Sequence, residues 1–402
     1  MDYGLIGEKL GHSYSVKIHK EFGDYNYELK SLPKDALEEF FAIKNFKGIN
    51  VTIPYKQEVF KFLDDVSPKA KSIGSVNTIV NENGKLTGYN TDYYGVKMLA
   101  DFAGISLKGA NVVILGSGGT CKTVTAVCKD ENAKSITVVS RKGEVNYQNV
   151  YNLTQTDIIF NTSPVGMYPN SDDIPIDIEK FPSLKGVLDA VYNPLKTKLI
   201  LKAESLGIKC AGGLMMLVGQ GAVASELFTG KKATYLLSAY NNVKKSVTDI
   251  VLIGMPGSGK STVGQLLANE LGREFIDTDK EVEKIANKSI PQIFVDDGED
   301  AFRELESKVL KKACLGGRVI ATGGGIVKRP ENREVIRSNG KVYYIKRPLE
   351  QLATGGRPLS GKDGVEKLYL ERKQLYESTA DVFVDNDDIT LTVEKIKGDF
   401  LK

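Results

Sequence analysis

The tightest constraint on this chain lies past its middle. Four apolar residues, Ile250–Ile253, run directly into Gly254-Met255-Pro256-Gly257-Ser258-Gly259-Lys260-Ser261. Val263, Leu266, Leu267 and Leu271 then recur at helical spacing. The octapeptide fits G-x-x-x-x-G-K-[ST] between a strand and a helix, the context the motif requires. Glycines let backbone N–H groups converge on phosphate oxygens, and the helix N-terminus adds positive potential. Gly257, Ser258, Gly259 and Thr262 are therefore expected around ATP. Lys260 is expected to reach the β- and γ-phosphates, and Ser261 to hold Mg²⁺. A buried strand handing over to a helix in this way implies α/β architecture.

The rest of the chain agrees. Short apolar runs alternate with helix-period segments along all 402 residues, enough for two to four domains. Asn111–Leu115, Ser135–Val139, Asp157–Phe160 and Gly186–Val191 read as buried strands, and Ala36, Leu37, Phe40 and Phe41 share one helical face. An apolar helix pattern over Gln220–Ala239 is followed by polar Asn241–Thr248, read as a linker. A softer boundary falls near Asp101–Lys108. The expected lobes are 1–100 with 215–240 packed back on it, 101–214, and, after the linker 241–248, 249–402.

Composition narrows the function classes. A net charge of +3 gives no sign of a nucleic-acid partner. Two histidines, His12 and His19, exclude a His-rich metal site. Cys121, Cys128, Cys210 and Cys314 fit neither a disulfide framework nor a zinc site. With no apolar run of membrane-span length and no signal-peptide pattern at Met1–Glu8, a cytoplasmic enzyme acting on small molecules is expected, as monomer or homodimer.

Beyond the phosphate loop, Phe275-Ile276-Asp277-Thr278-Asp279 ends a strand with two carboxylates. Gly298-Glu299, Phe302-Arg303, Val319–Thr322 running into Gly323-Gly324-Gly325, Gly356-Arg357-Pro358-Leu359 and Glu371-Arg372-Lys373 follow. No carboxylate ends the strand at Val319–Thr322, which disfavours an ordinary ATPase. In this order the set is similar to shikimate kinase over 249–402. The resemblance implies a P-loop NTPase fold of the nucleoside monophosphate kinase-like kind, with a parallel sheet. It implies that Asp279 accepts the proton of the attacking hydroxyl and that Asp277 supports the metal beside Ser261. Arg303, Arg372, Gly324 and Gly325 would hold shikimate, and Arg357 would sit on a lid over ATP. Two arginines suit a small carboxylate. One departure is Leu352–Gly356, where many members carry another arginine before the lid.

In the first half, Val112–Leu115 runs into Gly116-Ser117-Gly118-Gly119-Thr120, a dinucleotide-type turn with its third glycine replaced. The next strand, Ile136–Val139, ends in Ser140-Arg141-Lys142 instead of the acid that bonds a ribose 2′-hydroxyl. Two cations suit a 2′-phosphate, and so NADP(H). Gly213 is a further expected cofactor contact.

Seven short polar motifs complete this half. They are Gly11–Ser15, Gly48–Lys56, Gly74–Thr78, Gly88–Asp92, Asn161–Met167, Asp189–Pro194 and Gly213–Gln220. Together they resemble shikimate dehydrogenase over about 1–240, departing at Val16 and Ser140. That resemblance implies an α/β substrate lobe plus a Rossmann-like NADP lobe. Lys56 and Asp92 would be the acid–base pair, with Ser13, Ser15, Thr52, Asn77, Tyr192 and Gln220 on 3-dehydroshikimate. The two halves would then share a metabolite, the product of the first being the substrate of the second. The competing readings are an NAD-linked quinate/shikimate dehydrogenase, a kinase for another small polyol or sugar acid, and one half kept only for regulation.

Overall fold

Strands such as Asn111–Leu115 are apolar on both faces, as strands covered by helices on both sides must be. A computed structural model describes residues 1–11, 13–352 and 362–402 and divides the chain into two units, Met1–Val243 and Lys244–Lys402.

The first unit carries two sheets. The strands of one are β1 (Tyr3–Gly7), β2 (Tyr27–Ser31), β3 (Gly48–Val51), β4 (Asp65–Val66), β5 (Thr78–Glu82) and β6 (Lys85–Tyr89), ordered β2-β1-β3-β5-β6-β4. β1 pairs parallel with β2 and β3, while β5 runs antiparallel to both β3 and β6. The other sheet is parallel throughout. It holds β7 (Asn111–Leu115), β8 (Ser135–Val139), β9 (Ile158–Asn161), β10 (Gly186–Asp189) and β11 (Lys209–Ala211), ordered β11-β10-β9-β7-β8. Its side chains alternate between two cores. Val112, Ile114, Phe160 and Leu188 face one way, toward helices Asp92–Phe102 and Gly119–Asp130. Val113, Leu115, Ile159 and Val187 face the other, toward Leu199 and Ile200.

The second unit has one parallel sheet of β12 (Asp249–Ile253), β13 (Phe275–Asp277), β14 (Val319–Ala321), β15 (Gly340–Lys346) and β16 (Val382–Asp385). The order is β13-β14-β12-β15-β16, which leaves the phosphate-loop strand in the centre. Ile250 and Leu252 pack on one face, Val251 and Ile253 on the other. Among the described residues no helix is long and apolar enough to cross a membrane.

Two sequence expectations change here. The apolar pattern over Gln220–Ala239 is not one helix. Helix Leu214–Thr229 stops at Gly230, whose φ of 70° is a left-handed cap that favours glycine. The expected linker Asn241–Thr248 does contain the division between the units, between Val243 and Lys244, but its backbone is helical. It belongs almost wholly to a second helix, Leu236–Val247, which runs across the division between the units. Ala239, Val243 and Val247 form its buried stripe at i, i+4 and i+8, while Asn241, Asn242 and Lys244 face solvent. The polarity that suggested a linker is the outer face of an amphipathic helix. Helix Leu214–Thr229 packs on helices Ser15–Phe22 and Asp92–Phe102. Gly95 and Gly219 allow the second of these crossings, since a Cβ at either would meet Met216 or Met98.

Because each unit has its own sheet and core, Phe160→Ala should destabilise the first unit by about 3–5 kcal/mol. Scanning calorimetry should show the transition of the second unit unmoved. A common downward shift of all unfolding would contradict this division.

Candidate active sites

The first site forms where β3 and β6 end. After β3 the chain turns at Thr52–Lys56. Tyr55 is fully buried and donates its hydroxyl to the Leu32 carbonyl at 2.6 Å, while the Lys56 carbonyl accepts from Val76 N–H at 2.9 Å. Lys56 is thereby aimed inward, and its Nζ donates to Asp92 Oδ2 at 2.6 Å, both side chains mostly shielded from water. Asp92 opens helix Asp92–Phe102 but is not spent on capping it. Asn90 Oδ1 accepts from Tyr93 N–H at 3.0 Å instead, leaving Asp92 to the lysine.

Beside this pair lies a buried amide–hydroxyl network. Asn77 Nδ2 donates to Thr91 Oγ1 at 2.9 Å and to Gln220 Oε1 at 3.3 Å, and Asn77 Oδ1 accepts from Thr91 N–H at 2.6 Å. Gln220 arrives on helix Leu214–Thr229, which brings the two ends of the unit together. Beneath, Asn50 donates to Thr78 Oγ1 at 3.0 Å and accepts from the Tyr27 hydroxyl at 2.7 Å. Ser13 donates to Ser15 at 2.9 Å at the start of helix Ser15–Phe22. Tyr192 packs its ring 5.3 Å from that of Tyr14, and burial raises its hydroxyl above the ordinary value. The Thr52 N–H donates to the Ile6 carbonyl at 2.9 Å, which fixes the backbone of that residue where the strand ends.

The dinucleotide-type loop abuts the same place. Gly116 has φ 109°, and a Cβ there would lie 2.9 Å from Thr162 Oγ1. A Cβ on Gly118 would meet nothing, so the loop presents bare backbone at the start of helix Gly119–Asp130. A Cβ on Gly119 would lie 3.7 Å from Lys56 Cδ, so loop and lysine are neighbours. Leu115 pairs with Val139, so Gly116–Ser117 and the turn Ser140–Lys142 leave adjacent strand ends. Arg141 and Lys142 are exposed there and form no ion pair among the described residues. That donor set fits a dinucleotide with a 2′-phosphate. Gly213 precedes helix Leu214–Thr229, where a Cβ would collide with the Ala190 carbonyl.

Asp189, quoted within a sequence motif but given no role, organises this edge. It is fully buried at the end of β10 and accepts from Val191 N–H (2.9 Å), Thr197 Oγ1 (2.7 Å) and Asn161 Nδ2 (3.0 Å). Asn161 in turn accepts from the Ser163 hydroxyl at 2.7 Å. Burial pushes the Asp189 carboxyl up to about 7, against three hydrogen bonds that favour the ionised form.

In the second unit, Gly254 (φ 144°), Gly257 (φ 83°) and Gly259 (φ 92°) shape the loop after β12. Lys260 lies across it, donating to the carbonyls of Gly254 (3.0 Å) and Met255 (2.8 Å). Ser261 donates to Asp277 Oδ2 at 2.6 Å. Asp277 Oδ1 caps the next helix, accepting from Asp279 N–H (3.1 Å) and Lys280 N–H (3.3 Å). Among the described residues no group of three or more His, Cys, Asp or Glu could hold a metal. One hydroxyl and one carboxylate completed by phosphate oxygens is a set that suits Mg²⁺. Thr262 is exposed on the first turn of the helix that follows the loop.

The expected acceptor residues converge on the glycine run. A Cβ on Gly323 would collide with Asp279, on Gly324 with Pro256, and on Gly325 with Arg303. Arg303 donates to Glu306 (2.8 Å) and Glu299 (3.1 Å). Burial opposes its charge, but the two carboxylates outweigh it and hold the guanidinium above its ordinary value. Arg372 is only 3% exposed, with its Nε unpartnered among the described residues, and its charge is felt by Glu306 and Tyr376. Tyr376 donates to the Gly324 carbonyl. Arg357 lies outside the described residues.

Sequence reasoning missed Thr91, Asp189 and Glu306 as site-builders. Glu306 had a usable signal, since it stands one helical turn beyond Arg303. Thr91 had none, because its importance comes from a partner far along the chain.

Known proteins resemble the chain half by half. Residues 5–79 match the family model for the shikimate dehydrogenase substrate binding domain, and residues 256–397 match the shikimate kinase family model. A shikimate dehydrogenase (NADP(+)) of Clostridium perfringens is 40% identical over 251 residues, 57% of this chain and 93% of the relative. The crystal structure of shikimate dehydrogenase 1 from Peptoclostridium difficile superposes with a TM-score of 0.57 at 35% identity, over 61% of this chain and 98% of that one. The shikimate 5-dehydrogenase of Thermus thermophilus, solved in complex with NADP(H) and shikimate, gives 0.55 at 28% identity, over 60% and 99%.

The buried Asp189 carries a pH signature. Its carboxyl is raised on folding, so the native state binds the extra proton between the unfolded value near 3.8 and about 7. Its contribution to stability is full below that window and is lost as pH rises through about 7. Asp189→Asn should flatten that part of the melting-temperature profile of the first unit. An unchanged profile would show that the group does not titrate there.

Proposed function

The chain belongs to the shikimate dehydrogenase family and continues into a shikimate kinase domain, and from this we propose that it catalyses two consecutive steps of the shikimate pathway. The first unit reduces 3-dehydroshikimate to shikimate with NADPH. The second phosphorylates shikimate to shikimate 3-phosphate with MgATP. The single observation that supports this reading is that Lys56, paired with Asp92, lies beside the 116–119 loop, while Asp279 and Arg303 lie beside the 323–325 turn.

Bound NADPH supplies the hydride and bound MgATP the phosphoryl group; the chain does the rest. Asp92 holds Lys56, whose ammonium stabilises and protonates the substrate oxygen as it becomes a hydroxyl. Ser13 and Ser15 donate to the substrate carboxylate, and Asn77, Gln220, Tyr192 and Thr52 fix the ring. Arg141 and Lys142 take the 2′-phosphate, with Gly116, Ser117, Gly118, Gly119, Ser140 and Gly213 lining the cofactor path. In the second unit Asp279 takes the proton of the attacking hydroxyl, while Arg303 and Arg372 grip the carboxylate. Lys260, which rests on two loop carbonyls, would reach the phosphate oxygens, and Ser261 with Asp277 would hold Mg²⁺. Arg357, outside the described residues, is the further cation that the family resemblance assigns to ATP. The four free cysteines support a reducing compartment such as the cytoplasm.

Lys56→Ala should lower dehydrogenase turnover by about 10²–10⁴-fold with kinase activity intact. Lys260→Ala should do the converse. Loss of both activities in either variant would refute separate sites. Neutralising Arg141 and Lys142 should raise the KM for NADPH roughly tenfold or more while leaving that for NADH nearly unchanged. Equal effects on the two cofactors would overturn the 2′-phosphate assignment.

A further inference from the structure

Asn386 lies just past the end of β16, far in sequence from the phosphate loop, and no motif drew attention to it. It is 2% exposed. Its Nδ2 donates to the carbonyl of Ser258 at 2.7 Å, inside the loop itself. Its Oδ1 lies 3.1 Å from the Thr392 hydroxyl, whose one proton is also within reach of the Asp388 carbonyl at 2.7 Å, and its backbone N–H donates to the Lys346 carbonyl at 2.8 Å. The backbone of the residue is thus fixed, and the orientation of its side-chain amide follows from its partner: a carbonyl needs a donor, so Nδ2 must face Ser258.

The consequence is stereochemical. In a planar trans peptide the C=O and the following N–H point in opposite directions. Anchoring the Ser258 carbonyl outward on Asn386 therefore turns the Gly259 N–H to the opposite side, into the concave face of the loop. The approach is also close: a Cβ on Gly259 would collide with Asn386 Nδ2, a second reason besides φ 92° for glycine at that position. We propose that Asn386 is a positioning residue of the kinase reaction, a latch that orients the Ser258–Gly259 peptide so that its N–H serves a nucleotide β-phosphate.

This rests on reading residues 254–261 as the site of nucleotide phosphates. Calorimetric titration of the intact chain with ADP, with AMP by competition, and with shikimate separates the two ideas. Lys260→Ala must weaken ADP; if it does not, the phosphate-loop reading fails and the latch fails with it. Asn386→Asp keeps shape but turns an acceptor toward an acceptor. Its Kd for ADP should rise about tenfold or more, as should the KM for MgATP, with AMP and shikimate within about twofold. Asn386→Ser, which removes the reach without adding charge, should show the same pattern at smaller size. ADP affinity unchanged within about twofold overturns the proposal. So does equal weakening of ADP, AMP and shikimate in both variants, which would make Asn386 only a core residue.

Discussion

Parallel strands cannot be joined by hairpins; each must be followed by a crossover that returns the chain to the same end of the sheet. That constraint gathers the loops leaving the carboxyl ends, and several of the candidate groups stand on them, while Gln220, Arg303 and Arg372 come in on helices. Lys56 follows β3, the glycine loop follows β7, and Arg141 follows β8. Asn161 and Asp189 close β9 and β10. In the second unit the phosphate loop follows β12, Asp277 closes β13, Gly323–Gly325 follow β14 and Asn386 follows β16. Both sites are consequences of sheet order.

What differs between the sites is how charge is kept in place. In the first, Lys56 and Asp92 neutralise each other at 2.6 Å, and the neighbouring network is uncharged amide and hydroxyl. In the second, Arg303 is balanced by Glu306 and Glu299, whereas Arg372 is buried with an Nε unpartnered among the described residues. Burying a charge without full compensation costs stability. Part of that cost is offset by Glu306, which feels the charge of both Arg303 and Arg372.

Much of this was legible in the residues. Runs such as Val112–Leu115 and Ile250–Ile253 read as buried strands, which they are, and the spaced glycines before Lys260 pointed to a phosphate loop. Lys56, Asp92, Asp279, Arg303 and Arg372 were singled out because each sits in a short motif that resembles one of the two families. Partners brought in by tertiary structure were not. Thr91 meets Gln220 across 129 residues, and Asn386 meets Ser258 across 128. The helical conformation of 241–248 was not legible for a different reason: polarity cannot distinguish a loop from the wet face of a helix unless the valine spacing is followed through the glycine break at 230.

The shared metabolite is the central claim, and one assay addresses it. The intact chain is supplied with 3-dehydroshikimate, NADPH and MgATP, with no shikimate added, and ADP formation is followed beside NADPH oxidation. ADP should appear only when NADPH is present, after a lag during which shikimate accumulates, and should approach one ADP per NADPH consumed. ADP formed without NADPH, or NADPH oxidised with no ADP, would contradict it.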